Sequence, residues 1–269
     1  MSKTSCHQRT LAQNFLKSSK LVRSLLSASS IAAGDIVYEI GPGRGRITRE
    51  LAQIARNVIA IEKDSFLAEE LCRRFQDVEN VQVVSEDFLR YPIHHKQYKI
   101  FANIPYNITA NIMRKILYTP PFPSEAYLVM QKEAAQKFSG SPFETQFSIL
   151  AKPMFDIRII RELSRTDFEP VPHVDSVLLR IEKRPSSLVQ KEEISLYRSF
   201  VRYGFGAWKR SLKLSFKPIF TYPQWKYVAK HLYFPLDAAP SQLTFPQWLG
   251  LFECFKQRVP LYKQGYVQK

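Results

Sequence analysis

From residue 36 to residue 181 the chain alternates between two hydrophobic periods. Short apolar runs recur, and most are followed by a stretch whose apolar positions return every three or four residues. Ile36–Ile40 (IVYEI) is one such run. It stops at Gly41-Pro42-Gly43-Arg44-Gly45, after which Ile47, Leu51, Ile54 and Ala55 share a helical face. Residues 58–61, 81–84, 99–102 and 126–130 read as further strands. Helices are expected over 66–75, Thr109–Tyr118 and 132–138, the second closed by Pro120, Pro121 and Pro123. A sixth strand is expected within 147–160 and a seventh over 174–181. Ahead of all of these, 11–26 reads as a helix through Leu11, Phe15, Val22, Leu25 and Leu26. Strands alternating with helices imply an α/β fold with a mostly parallel sheet. The last two strands lack a strong helix between them and are expected as an antiparallel pair at one edge.

The pattern changes after residue 182. Residues 183–190 (KRPSSLVQ) are polar and proline-bearing, and then helical spacing takes over, in 194–203, 207–216, 223–233 and 245–256. This predicts two domains, 1–184 and 185–269. The charge is divided unevenly between them: of a net +15, residues 185–269 carry +9 in under a third of the length. No acid occurs between Ile194 and Leu236. Lys209, Lys213 and Lys217 have the spacing of one helix face, as do Arg198 and Arg202, and Arg210 adds to the charge. Such an excess attracts polyanions, with nucleic acid the leading partner and an anionic membrane surface the second.

The remaining composition mostly excludes. At 45% hydrophobic and 23% charged, the 269 residues are those of a folded globular chain, not a disordered or fibrous one. No apolar run approaches the roughly 20 residues that span a bilayer, and residues 1–10 do not read as a signal peptide, so a cytoplasmic protein is expected. Cys6, Cys72 and Cys254 are too dispersed for a local metal site and read as reduced thiols, one or two of them buried. No zinc spacing occurs, and no metal is expected.

The glycine loop follows a strand and opens a helix, the context of a nucleotide loop. It lacks the Lys-Ser/Thr of a triphosphate loop, and its G-x-G-x-G spacing differs from the G-x-G-x-x-G of a dinucleotide site. Glu62 ends the second strand, where a carboxylate accepts both hydroxyls of a ribose. Asp87-Phe88 follows the third, where an acid and a ring suit an adenine. Together these favour an adenosine ligand without phosphates, and S-adenosylmethionine fits better than NAD. Asn103-Ile104-Pro105-Tyr106 follows the fourth strand. An exocyclic amine is a poor nucleophile because its lone pair is delocalised into the base. Two acceptors, the Asn103 side-chain oxygen and the Ile104 carbonyl, can bind its hydrogens and free that lone pair. Pro105 stiffens the turn, and the Tyr106 ring can stack on the base.

With these motifs together, the chain resembles the rRNA adenine dimethyltransferases, which include the macrolide-resistance (Erm) enzymes of the large subunit and the KsgA-type enzymes of the small subunit. The resemblance runs from Gln13-Asn14-Phe15-Leu16 through EIGPGRG at 39–45, Glu62, Asp87-Phe88 and NIPY at 103–106 to FEPVPHVDSV at 168–177. It implies a Rossmann-like S-adenosylmethionine-dependent methyltransferase fold with seven strands and a small C-terminal helical domain. It implies that Gln13, Asn14, Leu16, Gly41, Gly43, Glu62, Lys63, Asp87, Phe88 and Asn103 surround the cofactor. Asn103, Tyr106 and Phe168 would grip a flipped adenine, Phe168 as the second stacking face. Arg198, Arg202, Lys209, Arg210, Lys213 and Lys217 would contact RNA. The aromatic and basic stretch 200–210 resembles the resistance enzymes more, which implies 23S rRNA as partner, with 16S rRNA the alternative, and action as a monomer. Two other classes compete. A non-catalytic RNA-binding protein would keep the fold but not depend on Asn103. An NAD-linked oxidoreductase would need a catalytic Tyr/Lys or His/Arg pair after the loop, which is absent.

Overall fold

The computed structural model describes residues 14–206 and 211–268. Its main sheet has seven strands: β2 (Ile36–Ile40), β3 (Asn57–Glu62), β4 (Val81–Ser85), β5 (Lys99–Asn103), β6 (Glu125–Gln131), β7 (Phe155–Leu163) and β9 (Ser176–Lys183). Their spatial order is β4-β3-β2-β5-β6-β9-β7. The strands from β4 to β6 are parallel, β9 runs antiparallel to β6, and β7 flanks β9 at the edge. The buried residues of β2 and β3 (Val37, Tyr38, Ile40, Val58, Ile59, Ala60, Ile61) explain why their apolar positions do not alternate: a strand covered on both faces has no polar side to alternate with. Between these strands lie α2 (Arg46–Ala52), α3 (Ser65–Phe75) and α4 (Thr109–Tyr118), and α5 (Lys132–Ser139) follows β6. Asp64 starts α3 by accepting hydrogen bonds from the N–H groups of Phe66 (3.0 Å) and Leu67 (3.2 Å).

The strand order reverses direction between β2 and β5, both of which pair with their neighbours in parallel. At such a switch point the carboxyl ends of the strands diverge and open a crevice. The loops after β2, β3, β4 and β5 all leave from that edge, and they carry the glycine loop, Glu62, Asp87 and Asn103.

The expected helix over 11–26 is replaced in part by a strand. Residues 11–13 lie outside the described residues. Phe15–Leu16 form β1, which pairs antiparallel with β8 (Phe168–Glu169), Leu16 opposite Phe168. The helix α1 begins only at Ser19 and ends at Leu26, capped by Ser18. Long-range pairing has overridden the local period here. Within 147–160 the expected single strand is a helix followed by a strand: α6 (Gln146–Ala151), with Thr145 and Ser148 in a capping box, precedes β7.

The chain divides into two compact units. One holds the residues up to Ala135 and Asp156–Lys183, the other Gln136–Phe155 and Arg184–Lys269. Residues 136–155 are therefore grouped with the helical part, where the sequence pattern put them with the sheet. A core in the first unit gathers Leu16, Val22, Leu25, Phe101, Tyr127, Val129 and Phe168. The second unit is built from α7 (Ile194–Gly206), α8 (Leu212–Ser215), α9 (Tyr222–His231), α10 (Phe245–Arg258) and α11 (Leu261–Gln264) around Phe200, Phe216, Trp225, Trp248, Phe252 and Phe255. Among the described residues no helix is long and apolar enough to cross a membrane. Cys72 is exposed and Cys254 half-buried; Cys6 lies outside the described residues.

Candidate active site

The glycine loop turns back on itself because Gly41, Gly43 and Gly45 all have positive φ (63°, 55° and 69°), a region that costs an L side chain. Two of them serve different ends. A Cβ on Gly43 would meet the Phe15 ring at 2.6 Å, so this glycine admits the aromatic of β1. A Cβ on Gly41 would meet nothing within 4 Å, so the backbone there faces open space. Asn14, Phe15 and Gly41 line a small recess together with Asn103, Ile104, Pro105 and Tyr106.

Asn103 ends β5, and its Nδ2 donates to the Asn14 carbonyl at 2.6 Å. This bond orients the carboxamide, leaving Oδ1 as an acceptor at the recess. Tyr106 is half-buried, and its hydroxyl is 2.8 Å from the Ser176 hydroxyl on β9. The ring is thereby held at the recess wall. Ser176 is only 1% exposed; its partnership with Tyr106 had no signal in the sequence, because the two positions are brought together by the pairing of β5 with β6 and of β6 with β9.

Glu62 is buried, and burial raises its carboxyl above the ordinary range; N–H groups of Asp64, Gly43 and Lys63 work against that. Its Oε2 accepts from the Gly43 N–H and its Oε1 from the Asp64 N–H, both at 3.0 Å. One acid thus ties the glycine loop to the end of β3. Asp87 accepts from the Leu89 N–H at 2.9 Å and forms an ion pair with Lys63 at 3.0 Å. Burial would raise Asp87, but the Lys63 ammonium, the Leu89 N–H and Arg90 outweigh it and hold the carboxyl below its usual value.

Sequence reasoning misses Glu39, which precedes the glycine loop. It is 1% exposed, neither of its oxygens has a hydrogen-bond partner, and burial raises its pKa to about 8. The neighbouring Thr48 hydroxyl and N–H offset part of that rise, and Glu62 adds to it. A buried carboxyl without a partner beside an open loop fits a site that takes a polar ligand.

Three expected site residues have their side chains buried away from the recess. Phe168 is fully buried among Leu16, Leu25 and Val129, because β1–β8 pairing turns its ring into the core; it presents no face for stacking. Leu16 is 4% exposed in the same core and offers only its carbonyl, which accepts from Arg46. The Phe88 ring is buried beneath the Lys115 ammonium, 4.7 Å from the ring centroid. It borders a separate groove of about 690 Å³ between α4 and the connection to β5, not the recess at Asn103.

On the helical unit, Arg198 and Arg202 sit one turn apart on α7, the second exposed. Lys213 lies on the four-residue α8 and Lys217 beyond its end, so no continuous helix face carries these lysines. Gln13, Lys209 and Arg210 lie outside the described residues. Among the described residues no three His, Cys, Asp or Glu side chains gather as a metal site.

The comparisons agree with this geometry. Residues 5–257 match the family model described as Ribosomal RNA adenine dimethylase. An rRNA adenine N-6-methyltransferase of Bacteroides fragilis is 30% identical, covering 97% of this chain and 98% of that one. Ribosomal RNA small subunit methyltransferase A of Acaryochloris marina is also 30% identical, over 91% of this chain and 95% of that one. Among solved structures, the 23S rRNA methyltransferase ErmE superposes with a TM-score of 0.85 at 29% identity, covering 91% of this chain and all of that one. A seven-stranded sheet with an open glycine loop, an anchored carboxamide at the end of β5 and a family match along nearly the whole chain make this protein an rRNA (adenine-N6) methyltransferase, a member of the ribosomal RNA adenine dimethylase family.

Proposed function

We propose that this enzyme methylates the N6 amine of an adenine in 23S rRNA, using S-adenosylmethionine, and so confers resistance to macrolides, lincosamides and streptogramin B. The observation that carries this reading is the match to ErmE, a 23S rRNA methyltransferase, over 91% of the chain. S-adenosylmethionine supplies a methyl group made electrophilic by its sulfonium sulfur. The open space at Gly41 and the unpartnered Glu39 suit its amino acid part. Glu62 has lone pairs left for the ribose hydroxyls after its two backbone bonds. Asp87 suits the adenine, with Lys63 swinging clear from an exposed position.

The chain's own groups then act on the target base. Asn103 Oδ1 and the Ile104 carbonyl accept hydrogen bonds from the amine, and Tyr106 stacks on the ring. With its hydrogens so held, the amine would lose conjugation and present its lone pair to the methyl group that a bound sulfonium would supply, with the thioether as leaving group. The product nitrogen is a cationic acid and releases its proton to water, so no strong base is required. Alignment supplies most of the rate. The basic residues Arg198, Arg202, Lys209, Arg210, Lys213 and Lys217 contribute phosphate contacts, and the enzyme works in the cytoplasm, where it meets ribosomes.

The equal identity to a small-subunit methyltransferase supports a second reading, 16S rRNA in ribosome biogenesis. Primer extension on rRNA from cells making the protein separates them. A stop in the peptidyl-transferase loop of 23S rRNA, with raised erythromycin tolerance, is expected. A mark near the 3′ end of 16S rRNA would overturn the resistance reading. Asn103→Ala is expected to lower methyl transfer about 100-fold or more while RNA affinity stays within about twofold, by analogy with loss of one preorganised polar contact to a reacting group.

A further inference from the structure

The helical unit carries three of its exposed aromatic residues on one short element. Along α9 and the turn after it, Tyr222, Tyr227 and Tyr233 are 57%, 45% and 90% exposed, and Lys226, Lys230 and His231 are exposed between them. Trp225, Val228 and Ala229 occupy the opposite, buried side. Tyr222 and Tyr227 each carry a cation on the ring, from Lys213 and Arg258, while staying exposed to solvent.

Tyr233 is the sharpest case. Its φ is 57°, and it is the one non-glycine residue with positive φ among those described. It occupies the position just past the end of α9: its N–H donates to the Lys230 carbonyl, and the Phe234 N–H donates to the Ala229 carbonyl at 3.0 Å. Helices that end in this double bond usually place glycine there, because a side chain is strained in the left-handed region. Here a large aromatic side chain stands in that position and projects into solvent instead of packing. Strain that yields no packing is accounted for when the ring has a partner outside the chain.

The surroundings specify that partner. The Tyr227 and His231 rings lie 5.7 Å apart and nearly parallel, at 11°, and the Arg258 guanidinium lies 4.3 Å from the Tyr227 centroid. No acid occurs from Ile194 to Leu236. Exposed flat rings interleaved with cations match unpaired bases on a phosphate backbone: each base offers a π-face and each linkage a negative charge. An acidic peptide would use the lysines but not the rings.

We propose that α9 is a stacking platform for single-stranded RNA, in which Tyr233 and the Tyr227–His231 pair take bases while Lys226 and Lys230 meet phosphates. This rests on the reading that the substrate is RNA, but it concerns a surface none of whose residues takes part in methyl transfer. The platform adjoins Lys213, whose ammonium lies 5.1 Å from the Tyr222 centroid, but draws on none of the lysines at 209–217.

Tyr233→Gly provides the test, since glycine is favoured at this φ and the variant is expected to melt at or above the temperature of the unaltered protein. Fluorescence anisotropy with a labelled single-stranded RNA of about 20 nucleotides reads affinity, and the same RNA annealed to its complement serves as control. We expect Tyr233→Gly and Tyr227→Ala each to weaken single-strand binding by about tenfold, in the range measured for loss of one stacked base, and to leave duplex binding unchanged. Methylation at saturating rRNA is expected to match the unaltered protein. Single-strand affinity unchanged in both variants, equal losses on single strand and duplex, or no single-strand binding by the unaltered protein would each overturn the platform. Failure of the unaltered protein to methylate either rRNA would count against the proposed reaction instead, because the binding measurement needs neither cofactor nor turnover.

Discussion

Replacing Glu39 by glutamine should make the protein more stable, and increasingly so as pH rises. The carboxyl is buried without a hydrogen-bond partner, and its pKa is raised from 4.5 to about 8. Between those values the folded protein holds a proton that the unfolded chain has released. The folded state therefore binds more protons, and stability falls as pH increases through this window. Linkage puts the cost at about 1 kcal/mol at pH 5 and about 3 kcal/mol at pH 7, approaching about 5 kcal/mol above pH 9. A side-chain amide would keep the shape without the charge, at a cost of about 1 kcal/mol because it also lacks a partner. Urea unfolding at pH 5, 7 and 9 should thus give Glu39→Gln no gain at pH 5, about 2 kcal/mol at pH 7 and more at pH 9. A stability difference independent of pH, or a loss at pH 7 and above, would refute the argument that desolvation governs this group.

Other substitutions test the rest of the site. Gly43→Ala should cost about 1–3 kcal/mol in thermal unfolding and weaken S-adenosylhomocysteine binding by calorimetry, since its Cβ strains a φ of 55° and displaces the Phe15 ring from 2.6 Å. Phe168→Ala should lose about 3–5 kcal/mol in urea unfolding as a core cavity opens, whereas Phe168→Leu should retain most methyl transfer; a large loss of transfer in a stable Phe168→Leu would restore the stacking role. Tyr106→Phe should lose only the bond to Ser176, about 1 kcal/mol of stability and a few-fold in rate, while Tyr106→Ala should lose far more in a steady-state methylation assay.

The parts of this architecture that could be read in sequence are those whose cause is local. Apolar runs covered on both faces gave the central strands to within a residue or two, and the glycines and acids lay at the strand ends where the loops begin. What escaped depends on distant partners. Leu11, Phe15 and Val22 have helical spacing, yet Phe15–Leu16 form a strand because Phe168–Glu169 is available to pair. The same pairing buries Phe168, so a ring expected at the base became core. The polarity of Glu62 was legible, but its two backbone bonds were not, and nothing in the string EIGPG shows that Glu39 lacks a partner. The lysines at 213 and 217 have a helical interval, but α8 ends between them.

The ribbon of β1 and β8 has a temporal consequence. The Asn103 amide takes its orientation from the Asn14 carbonyl, and Asn14 adjoins a strand whose pairing partner is residues 168 and 169. Closing so long a loop is slow, because chain entropy must be spent before the contact is made. A chain emerging during synthesis can assemble the central strands while its reactive amide is still unaligned. Competence then waits for Glu169 and for the β9 strand beyond it, so a stalled or truncated product ending before Glu169 would carry the glycine loop, both acids and Asn103–Tyr106 and remain inert.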